Sequence, residues 1–227
     1  MTNPRPVPRL VLASLVIFLF FPLLAQASAL RLSEVVDGAP LGRSITFFDD
    51  ADNLWSIDDA RKSVASNEFS ESQNETLAFG YTDSSYWFHL LVLNDTREPQ
   101  TRFFQVGYPL LDRVDLYSDC DGSVSQFKTG DHLEFDERPI SHRTFLFPLE
   151  MAPGQKCDLF LKVQTTSAMQ VPVALWDPIA LFEEDQTNIA AIMGLGGVLG
   201  IMAVYNLLIL FSVRRRVYFY YVGFVLS

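Results

Sequence analysis

The sequence predicts an all-β sandwich or jelly roll, preceded by an export signal and followed by a transmembrane α-helix. Three observations carry that expectation. Short aromatic and β-branched runs recur between turn dipeptides at a spacing of about ten residues. A basic, then apolar, then small-residue segment opens the chain. Ile189 to Val213 holds 25 residues without a charge. A helix of that length, at about 1.5 Å per residue, exceeds the roughly 30 Å hydrocarbon core of a bilayer.

Taken in order, Arg5 and Arg9 form the basic region, Leu10 to Leu24 the apolar core, and Ala25-Gln26-Ala27 a small-x-small cleavage signature. Residues 1–27 therefore read as a secretory signal peptide. Residues 28–184 follow as an exported domain, large enough for its own core. Within it, Ser56 to Ser66 carries the IDDARKSV pattern of a short helix, and Ser66 to Glu75 is polar enough for a loop. Strands are expected at Tyr86–Leu93, Thr101–Val106, Arg113–Tyr117, Val124–Thr129, Thr144–Leu149, Asp158–Gln164 and Gln170–Leu175. Asn94-Asp95, Asp121-Gly122 and Pro153-Gly154 supply turn chemistry between them.

Residues 185–213 are expected to be the first transmembrane helix. Arg214-Arg215-Arg216 follows at once, and positive residues beside a span are retained on the cytoplasmic side, so the β domain lies outside. Residues 214–227 read as a cytoplasmic turn and the start of a second span. That second apolar run is too short to cross, and the sequence is expected to be the amino-terminal part of a longer polytopic protein. Gly196 and Gly200 have small-x-x-x-small spacing for close helix approach, although glycine is common in membrane helices generally. Asn206 is expected to face other helices, because an amide inside a bilayer seeks a partner.

All 27 Asp and Glu follow the signal, against the 15 Lys and Arg left once Arg5 and Arg9 are set aside, so the mature chain is near −12. Such a charge, with no basic stripe, argues against nucleic acid and anionic lipid surfaces as partners. Cys120 and Cys157 both fall in the exported domain, where a disulfide is permitted. Whether they bond is open at this level, because their separation in space is not encoded by their spacing in the chain.

Alternation along a strand places Trp87 and His89 on one face and Phe88, Leu90 and Val92 on the other, which suits a core. Trp87 either lies against the apolar face of a sugar or packs beneath a loop. The same rule groups Arg113, Asp115 and Tyr117. Arg113 offers a rigid fork for a carboxylate or vicinal hydroxyls, or else pairs with Asp112, Asp115 or another strand. Arg143 either reaches over a face or ends a solvated edge. Gln164 and Gln170 flank a Thr-Thr-Ser segment and offer amide groups. These six residues, Trp87, His89, Arg113, Arg143, Gln164 and Gln170, are the candidate ligand-binding set.

Catalytic signatures are weaker. No HExxH, Cys-x-x-Cys or Gly-x-Ser-x-Gly element is present, and His89, His132 and His142 lack metal-ligand spacing on one helix. The acidic cluster Asp49, Asp50, Asp52, Asn53, Asp58 and Asp59 lacks the glycine and terminal glutamate of an EF-hand loop. No metal, cofactor or catalytic residue is assigned.

The ordered landmarks Ser85-Tyr86-Trp87-Phe88-His89-Leu90 with Asn94, Leu111-Asp112-Arg113-Val114-Asp115-Leu116-Tyr117, Gly130-Asp131, Arg138-Pro139-Ile140 and His142-Arg143 form one set. Val163-Gln164-Thr165, Gln170-Val171-Pro172 and Leu175-Trp176 continue it, and Tyr205-Asn206-Leu207 and Tyr218-Phe219-Tyr220-Tyr221 extend it into the membrane. In that order they resemble the type 2 extracellular domain of bacterial seven-transmembrane receptors with diverse intracellular signalling modules. One departure is His89, where many relatives carry Arg.

The resemblance implies a jelly-roll β sandwich similar to carbohydrate-binding modules. It also implies an inner-membrane receptor that senses a periplasmic ligand and drives a cytoplasmic diguanylate cyclase or histidine kinase. The expected partners are a carbohydrate or other small molecule and the lipid bilayer; a periplasmic protein and a second copy of the chain stay open. A protein-interaction module and a glycan-acting ectoenzyme are the alternative classes.

Overall fold

The computed structural model describes residues 29–213 and 216–226, so the signal peptide, Arg214 and Arg215 lie outside the described residues. Its elements follow from local chemistry. Four two-residue-spaced apolar side chains, Tyr86, Phe88, Leu90 and Val92, are buried in the main core, which fixes the inward face of the longest run.

In chain order the strands and helices are β1 (Leu30–Arg31), β2 (Thr46–Asp50), α1 (Ile57–Ala65), β3 (Ser70–Glu71), β4 (Leu77–Tyr81), β5 (Ser85–Leu93) and β6 (Gln100–Val106). Then come β7 (Arg113–Cys120), β8 (Ser123–Thr129), β9 (Phe145–Met151), β10 (Lys156–Gln164), β11 (Ala168–Val171), β12 (Val173–Trp176), α2 (Pro178–Val213) and α3 (Arg216–Leu226). The large sheet has the order β3-β2-β5-β10-β7-β8, with β1 pairing in parallel to the far end of β5. Two smaller sheets, β12-β6-β9 and β11-β4, form the second layer. The core between the layers joins Leu159, Leu161 and Val163 of β10 to Phe104 of β6, Phe147 of β9 and Met169 of β11. Burying each such large side chain contributes roughly 1.5–3 kcal/mol. The all-β sandwich followed by an apolar helix matches the fold class read from the sequence.

The stretch expected as one strand, Gln170–Leu175, is two. Pro172 has no N–H to donate, so the ladder breaks there: β11 pairs with β4 and β12 with β6. The Pro172 carbonyl instead accepts from Gly107 N–H at 2.8 Å.

Cys120 closes β7 directly opposite Cys157 of β10, with Cα atoms 4.1 Å apart, and the two are disulfide-bonded. The bond clamps the middle of the large sheet next to the Asp121-Gly122 turn.

Helix α2 begins at Pro178, seven residues before the start expected from hydropathy. The reason is capping chemistry: Asp177 accepts the Ile179 N–H at 2.8 Å, and Pro178 occupies the first helical position, where a missing N–H costs nothing. The helix has 36 residues, with mean hydropathy 2.0 over its most apolar window and little of that window buried. At about 54 Å it is longer than the roughly 30 Å hydrocarbon core of a bilayer. Gly196 and Gly200 have open space around them among the described residues. Asn206 donates to the Met202 carbonyl of its own helix at 2.8 Å, so within these residues its amide is satisfied along α2 rather than across to another helix.

Candidate functional site

One face of the large sheet packs on the core; the other presents rows set by strand register. Phe48, Trp87, Lys162, Asp115 and Lys128 are direct neighbours across β2, β5, β10, β7 and β8. The next row along the strands is Thr46, His89, Phe160, Tyr117 and Gln126. Gln164 and Arg113 face each other at the strand ends beyond the first row.

Helix α1 seals part of this face. Ser56 caps it reciprocally with Asp59: Asp59 N–H donates to Ser56 Oγ, and Ser56 N–H donates to the Asp59 carboxylate at 3.1 Å. The Ser56 hydroxyl also donates to that carboxylate at 2.6 Å, and these two bonds, the hydroxyl's first and the N–H's second, hold the Asp59 carboxyl below its ordinary value. Arg61 fastens the helix to β7 through Asp119 at 2.8 Å, and fully buried Ala60 sits with Trp87 and Phe160 in a second, smaller apolar cluster. Only a methyl-sized side chain permits that approach.

Asp50 builds the turn in front of the helix. It is buried, and its carboxylate accepts from the backbone N–H of Leu54 and Trp55, both at 3.1 Å, and from the Ser85 hydroxyl at 3.0 Å. This turn carries Trp55 onto the sheet, stacked on Phe48 at 3.9 Å. Lys162 Nζ then donates to the Trp55 carbonyl at 3.0 Å and lies 5.1 Å from the centroid of the Trp87 ring.

Beyond the helix the face is open. A cleft of about 160 Å³ is lined by Asn53, Trp55, Trp87, Arg113, Asp115, Tyr117, Lys162 and Gln164. Trp87 is 1% exposed and forms part of its wall, and its indole N–H is buried without a hydrogen-bond partner among the described residues. Such an orphaned group costs about 1–3 kcal/mol. Arg113 is exposed and makes no ion pair among the described residues. Burial pushes the Asp115 carboxyl above its ordinary value, against the pull of Arg113, Lys128 and Lys162. Burial, followed by the Asp115 charge, likewise raises the Tyr117 hydroxyl. The cleft thus offers guanidinium, ammonium and amide donors around one partly desolvated carboxylate, with the aromatic rings of Trp55 and Tyr117 on its walls.

Of the six candidate residues, the structure brings Trp87, Arg113 and Gln164 together. Trp87 is no open platform for a sugar ring: it is buried with Ala60 of α1, Trp55 and Tyr117 packed around it. His89 is 4% exposed, bonded to Asp158 at 2.7 Å and enclosed by Phe160 and Phe69, so it belongs to the sealed part. Gln170 is exposed in the second layer, on β11. Arg143 lies at the base of α2, paired with Asp185 at 3.0 Å.

Asn53, Trp55, Asp115, Tyr117 and Lys162 complete the cleft. Asp115 and Tyr117 share strand parity with Arg113, and Lys162 with Gln164, so parity was the available signal for those three. Trp55 sits in a turn and carried none.

The Arg143 region is a polar junction between the second layer and α2. Asp185 also accepts from His142 Nε2 at 2.7 Å; His142 Nδ1 accepts the Thr144 N–H at 3.1 Å, which assigns the ring proton to Nε2. Gln105 donates to Thr144 Oγ1 at 2.9 Å and accepts from Trp176 Nε1 at 2.7 Å. A wider hollow of about 530 Å³ adjoins this junction, but its polar side chains are largely engaged with one another. The open end of the outer face is where unengaged groups converge.

A family described as 7TMR-DISM extracellular 2 matches residues 42–177. No curated protein matches the chain.

Proposed function

Because the chain belongs to the 7TMR-DISM extracellular 2 family, we propose that it is the periplasmic sensing end of a bacterial inner-membrane receptor whose open outer-face cleft binds a carbohydrate or related small molecule. One observation carries this reading: Arg113, exposed and without an ion pair among the described residues, faces Gln164 on a cleft walled by Trp55 and Tyr117. Arg113 with Gln164 fixes vicinal hydroxyls of the ligand. Trp55 and Tyr117 provide the apolar contact that an indole was expected to give.

The route to the membrane runs through the second layer. His142 and Arg143, which lead into β9, hold Asp185 on the first turns of α2, while Trp176 and Asp177 lead directly into that helix. Ligand binding biases α2 only if it favours one arrangement of this junction over another, and coupling of about 1–3 kcal/mol is typical of such relays. The biased helices in turn control a cytoplasmic diguanylate cyclase or histidine kinase.

Isothermal titration of the 227-residue chain in lipid nanodiscs with glycans tests the reading. Saturable binding is expected, weakened about tenfold or more by Arg113→Ala, since a charged hydrogen bond contributes about 1.5–3 kcal/mol. Gln170→Ala is expected to leave it unchanged. Absence of glycan binding, or equal affinity for Arg113→Ala, would sink the proposal.

A further inference from the structure

Beyond the Arg113–Gln164 pair lies a second hollow of about 370 Å³, lined by Asp83, Asp112, His132, Thr165 and Thr166 together with Arg113 and Gln164 themselves. The two hollows therefore share a wall, and that wall is one directly opposed pair on β7 and β10. From this geometry we propose that the ligand lies across the Arg113–Gln164 pair and fills both hollows, so that the recognised class is a glycan of two or more sugar units. The inference rests on the reading that the inner cleft takes a sugar.

Size supports it first. The inner cleft, at about 160 Å³, falls below the roughly 300–1,000 Å³ usual for small-ligand sites, and it reaches that range only with its neighbour.

Chemistry supports it second. The inner cleft supplies aromatic walls and cationic donors, which suit the ring and the principal polar anchor of one unit. The outer hollow is lined mostly by apolar surface, which suits a second ring face, and its edge carries Asp83, the largely exposed imidazole of His132, and the Asp112 carboxylate. Asp112 is already ordered, because it accepts from the Thr166 N–H at 2.7 Å and the Thr166 hydroxyl at 2.8 Å. Burial acts to raise its carboxyl, but those hydrogen bonds bring it below the ordinary aspartate value, so it stays an acceptor for ligand hydroxyls. Gly130 keeps the approach tight, since a Cβ there would strike the Asp112 carbonyl.

Position supports it third. Arg113 stands at the junction with its guanidinium unpaired, and its planar fork presents donors in more than one direction.

The test uses the 227-residue chain in phosphatidylcholine nanodiscs, screened on an array of one- to six-unit glycans, followed by titration with each retained glycan and its shorter fragments. Affinity is expected to rise about tenfold or more between one unit and two, as the outer hollow adds one or two hydrogen bonds. His132→Ala and Asp83→Ala, at exposed side chains, are expected to erase that gain without shifting the unfolding temperature. A single sugar that binds as tightly as its two-unit parent would overturn the inference while leaving the inner cleft a sugar site. So would unchanged two-unit affinity in both variants. Retention of no glycan would overturn the inference and the proposed function together.

Discussion

The two ends of the outer face of the large sheet are made from the same strands and the same alternation, yet one is sealed and the other open. At the sealed end His89 finds Asp158, Phe160 packs under Ala60, and Arg61 ties the lid to Asp119. At the open end the exposed Arg113 guanidinium makes no ion pair among the described residues. Strand parity puts a residue on a face; the cover laid over that face decides whether its polar atoms are spent on the fold or left for a ligand. His89 and Arg113 were equivalent as sequence candidates, and α1 is what separates them.

The sharpest way to break this contrast is Phe160→Ala. Removing a buried aromatic from beneath α1 is expected to cost about 3–5 kcal/mol in denaturant unfolding, whereas Arg113→Ala is expected to stay within about 0.5 kcal/mol of the parent. Similar losses for the two would mean that the open end is as structural as the sealed one. A smaller effect is expected from Ser56→Ala, which removes the reciprocal cap of the lid and costs about 1 kcal/mol. Its hydrogen-exchange signature should be confined to α1, and faster exchange spread through β7 and β10 instead would show that the lid is not a separate unit.

The mildest effect concerns pH. Asp115 has its folded-state pKa raised by burial, so the folded chain holds that proton more firmly than the unfolded chain. Stability therefore falls as pH rises from the ordinary aspartate range through the folded value. Asp115→Asn is expected to remove this falling component and to raise stability at neutral pH relative to the parent. Asp112 acts oppositely: its lowered value gives stability that is present above the ordinary range and lost as pH falls through the folded value. A parent and an Asp115→Asn variant with identical pH–stability slopes would contradict the desolvation of the cleft carboxylate.

Much of the sandwich was legible because its inner strands carry strong alternation: Tyr86 to Leu93 and Asp158 to Gln164 both fall within observed strands. The helix at Ser56 to Ser66 was legible through its polar cap and pattern. β2 and β4 were not. β2 ends in Asp49-Asp50, which reads as an acidic loop until Asp50 is seen to be buried by its backbone and hydroxyl donors. β4 contains Gly80 at φ +70°, in the left-handed region that interrupts a regular strand, and its ladder with β11 shifts register beside that residue.

The site was half legible for a related reason. Trp87, Arg113 and Gln164 could be chosen by side-chain chemistry and parity, but register across three strands was needed to add Lys162 and Asp115 and to discard Arg143 and Gln170. The acidic start of α2 reads as a solvated collar until His142 and Arg143, distant in sequence, are found on Asp185.

The chain has three tryptophans, and they divide usefully: Trp55 and Trp87 line the open cleft, while Trp176 is bonded to Gln105 beside α2. Incorporating 5-fluorotryptophan and titrating the nanodisc-embedded chain with a retained glycan gives one fluorine resonance for each. Saturable shifts of the Trp55 and Trp87 signals at the titrated affinity are the predicted result. Movement of Trp176 with Trp55 and Trp87 unmoved would place the ligand elsewhere and contradict the account.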